Sequence, residues 1–474
     1  MVADHKEWTY FVGIGGAGMS GLAKILLELG HRVSGSDLKK SKVTERLAGM
    51  GATIFLGHAA HNLEPGVELV VVSSAIPKEN PEVVEAKARG VPVIQRADLL
   101  ARLMQRQRAI AIAGAHGKTT TTSMISLMLD KNGMDPTVVI GGELNDIGGN
   151  AKLGHGRYLV AEADESDKSF LKLFPFVAVV TNIENDHLDN YGSVANIIAA
   201  FEEFIHKVPE EGFVVLCSDD PELYRISQDG RKKYITYGLE GQTDYTAREI
   251  HLEGLTSRSE IFFRGARLGQ LSLNVPGKHN VLNALAAIAV GHQLGISFEG
   301  IAASLAGFQG VERRFQIIGK AAGVRVVDDY GHHPTEIQAT LRAARCTHPS
   351  RLVVVFQPHR YTRTQLLHEQ FGPAFAHADI TVIDAIYGAG EPPIPGVTAE
   401  LIANAARTYC PQVYFMPGAN AIMDYLIANC RPGDLVITMG AGNIWEIGRE
   451  FLKRLEMQDT GEAPVKYRTS NLGQ

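Results

Sequence analysis

Only four cysteines occur in 474 residues, Cys217, Cys346, Cys410 and Cys430, and none forms a C-x-x-C pair. That argues against a structural zinc site or a disulfide framework and suits the reduced, mostly buried thiols of a cytoplasmic protein. No apolar run approaches the length of a membrane span, and the first residues (MVADHKEW) are polar, so no membrane association is expected. There is no long basic run and the formal net charge is −6, which argues against nucleic acid as a main partner. A nucleophile elbow, a Cys–His arrangement and a metal-hydrolase motif are also missing. The remainder is an ordinary globular composition, 45% hydrophobic and 21% charged, in a chain too long for one core.

The most informative stretch is Ala109 to Thr122, AIAIAGAHGKTTTT. Alternating apolar residues end in a glycine-rich turn, followed by Lys118, four threonines and an apolar-periodic segment from Met124 to Leu129. This reads as a strand, a loop of backbone N–H groups and a helix N-terminus, an arrangement that presents donors and a positive dipole end to a phosphate chain. Gly114, Ala115, His116 and Gly117 form a shortened G-x-x-G-K-T loop. Lys118 would reach the β- and γ-phosphates of ATP or GTP, with Thr120 beside it and the Thr119 hydroxyl on Mg²⁺. The alternative, a mere helix cap, leaves the buried strand and the threonine run without a purpose.

Residues 1–107 carry a second glycine loop. Gly13, Gly15, Gly16 and Gly18 follow a short strand and run into Met19 and Ser20 at the head of a helix; a second strand ends at Asp37. The pattern G-x-G-x-x-G with an acid about 20 positions on suits any nucleoside diphosphate: glycines admit the pyrophosphate, and the acid accepts from a ribose or base. His58, Ser73 and Ser74 stand at two further strand ends of the same sheet. The middle segment, 108–315, brings two polar clusters to strand ends, EADESD (162–167) and NIENDHLDNYG (182–192). Magnesium needs hard oxygen ligands near the phosphates, so Glu162 is the expected carboxylate and His187 a further ligand or phosphate contact. Residues 213–274 read as a β-rich excursion. Asn280 and Asn283 open an Ala-rich helix and suit either helix caps or readers of an adenine edge.

From 316 to 456 four strands are expected, alternating with helices and ending in polar groups; His359, Arg360 and Arg363 bring up to three positive charges to one end, which suits a carboxylate. Met457 to Gln474 is polar and aperiodic and is expected to be a loose tail. The fold class is therefore α/β in three consecutive domains: Rossmann-like (1–107), P-loop ATPase-like with a β-rich excursion (108–315), and Rossmann-like again (316–456).

These residues carry a family resemblance. GIGGAGMSG (13–21), GSD (35–37), SSAIP (73–77), GAHGKTTTT (114–122), EADESD, NIENDHLDNYG, GKHNVLNALAA (277–287), ERRF (312–315), DDYGHHPTEI (328–337) and HRYTRT (359–364) together resemble the Mur ligase family over nearly all of residues 8–456. Ala115 stands where the family usually has Thr, and Lys168 where a small residue is more usual. The resemblance implies an ATP- and Mg²⁺-dependent ligase of a bacterium with a peptidoglycan wall. It would phosphorylate the lactyl carboxylate of UDP-N-acetylmuramate and join L-alanine to it, acting in the cytoplasm as a monomer or weak homodimer. It implies Lys118 on the γ-phosphoryl; Thr119, Glu162 and His187 at metal ions; Asn280 and Asn283 on adenine; and Arg314 and Asp329 on phosphate and ribose. The first glycine loop, Met19, Ser20, Asp37, His58, Ser73 and Ser74 would hold the UDP-sugar. Tyr330, His332, His359, Arg360 and Arg363 would hold the reacting carboxylates and L-alanine. Several relatives carry a carbamoylated lysine on the helix after H-L-D; Ala195 to Phe204 contains no lysine, so no such modification is expected, and Glu202 or Glu203 is the expected acidic substitute. A ligase that attaches a preformed tripeptide to the same sugar nucleotide is the alternative within the family. From another class, a nicotinamide-dependent oxidoreductase would explain Gly13 to Asp37 and nothing beyond residue 108.

Overall fold

The structure is a computed structural model that describes residues 6–144, 148–185 and 188–460. Its described residues fall into two compact units. One is built from the chain up to Ile250 with Arg258–Leu273 and Asn280–Val311; the other comprises His251–Ser257, Asn274–His279 and the chain from Glu312 onward.

Two sheets make up the first unit. Strands β1 (Trp8–Val12), β2 (Arg32–Asp37), β3 (Thr53–Leu56), β4 (Leu69–Val72) and β5 (Val93–Gln95) form an all-parallel sheet in the order β3-β2-β1-β4-β5. Strands β1 and β4 are buried throughout and apolar except for Thr9, as suits strands covered on both faces. Gly35 is required where β2 lies against β1, because a Cβ there would come within 2.4 Å of the Phe11 carbonyl oxygen. The second sheet has ten strands: β6 (Arg108–Ala113), β7 (Thr137–Leu144), β8 (Gly149–Lys152), β9 (Tyr158–Glu162), β10 (Val177–Val180), β11 (Phe213–Cys217), β12 (Tyr234–Gly238), β13 (Tyr245–Glu253), β14 (Thr256–Phe263) and β15 (Ala266–Leu273). Their order is β15-β14-β13-β12-β11-β10-β6-β9-β7-β8, so β6 sits inside, parallel to β10 and β9. The β-rich stretch 213–274 continues this sheet, entered through β11 and β12.

The helix Ala17–Glu28 joins the two sheets. Its buried residues run from Met19 to Ala23 without a break, because β8 covers the face that its own sheet does not. Lys24 donates to the Ala151 carbonyl at 2.6 Å, Asn150 donates to Ser20 Oγ at 2.9 Å, and a Cβ on Gly21 would meet that of Ala151 at 3.3 Å.

The second unit holds six strands where the sequence suggested four: β16 (Gln316–Ala321), β17 (Val324–Asp329), β18 (Arg351–Phe356), β19 (Ile380–Ile383), β20 (Gln412–Phe415) and β21 (Asp434–Met439). The order is β16-β17-β21-β18-β19-β20, with β16 antiparallel and the rest parallel. The two additional strands are the edges. Their residues are mostly half-buried, so neither shows the continuous apolar run that marks a central strand. Alternate residues feed two cores, Val327, Val354 and Ile437 on one face, Val326, Val353, Val355 and Val436 on the other. The last helix, Trp445–Thr460, runs past the expected boundary at 456, since no glycine or proline intervenes before Gly461.

Candidate active site

The phosphate loop leaves the carboxyl end of β6 and is shaped chiefly by the end of β10. Thr181 Oγ1 donates to the His116 carbonyl at 2.6 Å, and Asn182 accepts from the His116 amide at 2.9 Å through its side chain and from Ala115 N at 3.3 Å through its carbonyl. Gly114 has φ +131°, and a Cβ there would fall 2.1 Å from Thr181 Oγ1. Gly117, at φ +82°, caps the helix Lys118–Lys131. Both glycines are demanded by backbone conformation and by close approach. His116 Nε2 lies 3.2 Å from Glu184 Oε2.

Lys118 folds back over the loop. Its ammonium donates to the Gly114 carbonyl at 2.5 Å, to the Ala115 carbonyl at 3.2 Å and to Glu165 Oε1 at 2.8 Å. Burial alone would lower its pKa; the charges of Glu165 and Asp164 more than reverse that, so it stays an ammonium. Glu165 belongs to the EADESD cluster, but sequence reading singled out Glu162 and missed it. Glu162, at the end of β9, accepts from Gly141 N at 2.7 Å. The pair Gly141-Gly142 packs between the two expected metal-binding side chains. A Cβ on Gly141 would lie 2.8 Å from Glu162 Oε2, and one on Gly142 3.1 Å from Thr119 Cγ2. A hydroxyl and a carboxylate flanking a phosphate loop are the hard oxygen donors Mg²⁺ takes, so this donor set fits the ion. His187 lies outside the described residues.

Asn280 and Asn283 occupy the third and sixth positions of the helix Lys278–Gln293, inside it rather than at its cap. Asn283 accepts from Thr121 Oγ1 at 3.2 Å and donates to Asn280 Oδ1 at 3.3 Å. A Cβ on Gly117 would sit 2.7 Å from Asn283 Oδ1, so the amide pair rests on the phosphate loop itself.

In the first sheet the glycine loop is closed from inside. Asp37 accepts from Gly15 N at 2.9 Å, and a Cβ on Gly15 would meet the same carboxylate at 2.9 Å. Gly13 takes φ +78°, and Gly16 N donates to its carbonyl at 3.2 Å. Gly18 abuts Arg96, whose Cδ would lie 2.9 Å from an added Cβ. The side chains of Met19 and Ser20 are buried, and Ser20 bonds Asn150 and the Ala17 carbonyl, because helical periodicity turns them inward. Ser73 and Ser74 remain accessible after β4. His58 is neither free nor alone. Its Nδ1 lies 2.9 Å from Ser36 Oγ and 3.2 Å from Glu82 Oε2; the fully buried Glu82 also accepts from Tyr10, Asn62 and Ala59 N. Ser36 donates its one proton to Glu82 at 2.6 Å, so Nδ1 of His58 carries the hydrogen between them. A lone glutamate on the helix after N-P gave no signal in the sequence.

In the second unit, polar groups gather where β17, β18, β19 and β21 end. Arg313 pairs with Asp328 at 3.0 Å and donates to the Gly440 carbonyl at 2.7 Å; Arg314 pairs with Glu336 at 3.5 Å. Both guanidiniums lie over the Tyr330 ring, at 4.9 and 5.2 Å. Asp329 accepts from Phe315 N at 2.8 Å through one oxygen and from Gly331 N at 2.7 Å through the other, so its buried carboxylate fastens the 313–315 turn. Tyr330, His332, His359 and Tyr387 form a row of rings with successive centroids 5.5, 5.4 and 6.0 Å apart. Burial lowers His332 to about 3, so it is neutral at physiological pH. Arg363, itself buried, donates from Nη1 to His359 Nδ1 at 3.2 Å; an arginine can only donate, so this nitrogen accepts. The strand end therefore presents two guanidinium charges, from Arg360 and Arg363, rather than three positive groups. Arg360 opens the helix Tyr361–Ala374 at φ +70° and approaches Glu391, which accepts from Thr362 N and Oγ1 at 3.1 and 2.8 Å.

One expectation is corrected outright. Glu202 pairs with Arg225 at 2.9 Å and Glu203 with Lys207 at 3.4 Å, on the solvent side of the helix Val194–His206, while Ile197, Phe201 and Phe204 face inward. Neither acts as an acidic substitute at the loop. Lys168 is an exposed surface charge at φ +62°, with its ammonium 4.9 Å over the Tyr191 ring.

Comparison with known proteins agrees with this layout. Residues 9–108 match the Mur ligase family catalytic domain, 112–291 the Mur ligase middle domain and 313–442 the Mur ligase glutamate ligase domain. The chain is 56% identical to a UDP-N-acetylmuramate–L-alanine ligase of Pelotomaculum thermopropionicum, over 96% of this chain and 98% of that one. It is 54% identical to the enzyme of that name from Geotalea daltonii, over 95% and 98%. Among solved structures it is similar to the UDP-N-acetylmuramate–alanine ligase of Thermotoga maritima, with TM-score 0.82 and 30% identity over 95% of this chain and 99% of that one. A murein peptide ligase from Psychrobacter arcticus gives 0.71 at 27% identity, over 95% and 99%.

Proposed function

Since the chain belongs to the Mur ligase family, we propose that it joins L-alanine to the lactyl carboxylate of UDP-N-acetylmuramate at the expense of ATP, in peptidoglycan precursor synthesis. The observation that carries the reading is the phosphate loop of β6, with Lys118 held beside it by the buried Glu165 carboxylate, in a chain that relatives of that name match over 95–96% of its length.

The lactyl carboxylate attacks the γ-phosphorus of ATP, ADP leaves, and an acyl phosphate forms. The α-amine of L-alanine then adds to the acyl carbon, and collapse of the tetrahedral intermediate expels phosphate and leaves an amide. The work assigned to this chain is positioning and charge neutralisation. The amides of Gly114 to Gly117 and the head of the following helix cradle the phosphates, and Lys118 neutralises charge on the transferring group. Thr119 and Glu162 would hold Mg²⁺, which when bound supplies further neutralisation of the phosphate oxygens. Asn280 and Asn283 are assigned to the base, and Asn283 supports the loop's far side through Thr121. Gly13 to Gly18, with Asp37, His58, Ser73 and Ser74, take the UDP moiety, the locked tautomer of His58 leaving Nε2 for the ligand. In the second unit, Arg360 and Arg363 take a carboxylate, the neutral ring row of Tyr330, His332 and His359 walls that site, and Arg314 is assigned to phosphate. Among the described residues no helix is long and apolar enough to cross a membrane.

Phosphate release from Mg-ATP and UDP-N-acetylmuramate, scanned against single amino acids, tests the proposal. Turnover should require L-alanine and fall by about a thousandfold or more in Lys118→Ala, the loss of one preorganised transition-state charge. Turnover with the tripeptide alone would assign the chain to the peptide-ligase branch, and ATP use indifferent to the sugar nucleotide would overturn the reading of the first sheet.

A further inference from the structure

We propose that Glu165 is a positioning residue for Lys118: it holds the ammonium on the loop while nucleotide is absent, and it competes with the phosphates for that ammonium, setting nucleotide affinity. This deepens the reading of the loop as a nucleotide site and rests on it.

An ammonium has three donors. All three of Lys118 are engaged, by two loop carbonyls and by Glu165 Oε1, so a phosphate must displace one of these partners. The carboxylate partner is built in. Its side chain is 5% exposed, and its second oxygen, Oε2, is buried beside the loop and accepts no hydrogen bond. The backbone that carries it is fastened as well. Tyr191 OH donates to the Glu165 carbonyl at 2.6 Å, Lys168 N to the same oxygen at 3.1 Å, and Asn190 Nδ2 to the next carbonyl, that of Ser166, at 2.8 Å. Two residues of the NIENDHLDNYG stretch thus clamp the acidic turn. The arriving phosphates meet a fixed negative charge that already holds the cation they need. Neutralising that charge without changing its shape removes both the competition and the like-charge repulsion.

The test is calorimetric titration of ADP, in EDTA and without Mg²⁺, into wild type and Glu165→Gln. The variant should bind ADP on the order of tenfold more tightly, the size expected for removing one like charge at a partly screened site. Its KM for ATP should fall in parallel, with a melting temperature close to that of wild type. Equal or weaker ADP binding by the variant overturns the proposal, since a merely structural carboxylate would weaken binding and melting together. Glu165→Asp, which keeps the charge but draws it back by one methylene, should fall between the two; it decides the matter by the same criterion if the Gln variant does not fold. Whether wild type binds ADP at all tests the nucleotide reading, and the ratio of variant to wild type tests the role of Glu165.

Discussion

At the residue scale, buried carboxylates do different work according to what faces them. Glu82 and Asp329 are each surrounded by hydrogen-bond donors, yet burial still pushes Asp329 from 3.8 up to about 6. A carboxyl whose folded pKa is raised contributes its full stability below its unfolded pKa and loses it as pH rises through the folded one. Stability contributed by Asp329 should therefore decline between about pH 4 and about pH 6, by on the order of 2–3 kcal/mol for roughly two pKa units. Asp329→Asn cannot ionise. Losing one of two amide acceptors shifts its absolute stability, but urea melts should show the wild type losing that amount relative to the variant across this window. Parallel pH profiles would contradict the assignment.

At the scale of elements, most of the site was legible because α/β folds place chemistry at strand ends. Strands β1, β6, β9, β10, β17 and β18 each announce themselves as apolar runs that end in polar residues, and the glycine loops follow directly. What escaped notice has physical reasons. Edge strands β16 and β20 lack buried runs. Glu82, Glu165 and Thr181 act through tertiary contacts that no spacing encodes. Glu202 and Glu203 were placed at the site because sequence proximity to H-L-D says nothing about which face of a helix turns inward. The amide pair at 280 and 283 suited caps as well as ligand contacts, and tertiary packing decided against caps. Asn283→Ala removes the Thr121 hydrogen bond and the support behind Gly117. It should weaken ADP binding by about tenfold, in line with the loss of a buried hydrogen bond. Unchanged affinity in a titration would show that the loop needs no such support.

At the scale of the whole molecule, the proposal gives each of the three sheets its own share of the reaction: the glycine loop is assigned to a nucleotide-linked sugar, the phosphate loop to ATP, and the guanidinium-bearing strand end to a carboxylate. Electrostatic neutralisation, rather than a protein nucleophile, is what these residues can supply, and an acyl phosphate is the intermediate that such a site makes accessible. Isotope transfer from the sugar nucleotide is the most direct test. With both lactyl carboxylate oxygens of UDP-N-acetylmuramate labelled with ¹⁸O, turnover with Mg-ATP and L-alanine should place one ¹⁸O in the released phosphate and leave the other in the amide. Unlabelled phosphate would mean that water, not the carboxylate, takes the phosphoryl group, and would contradict the account.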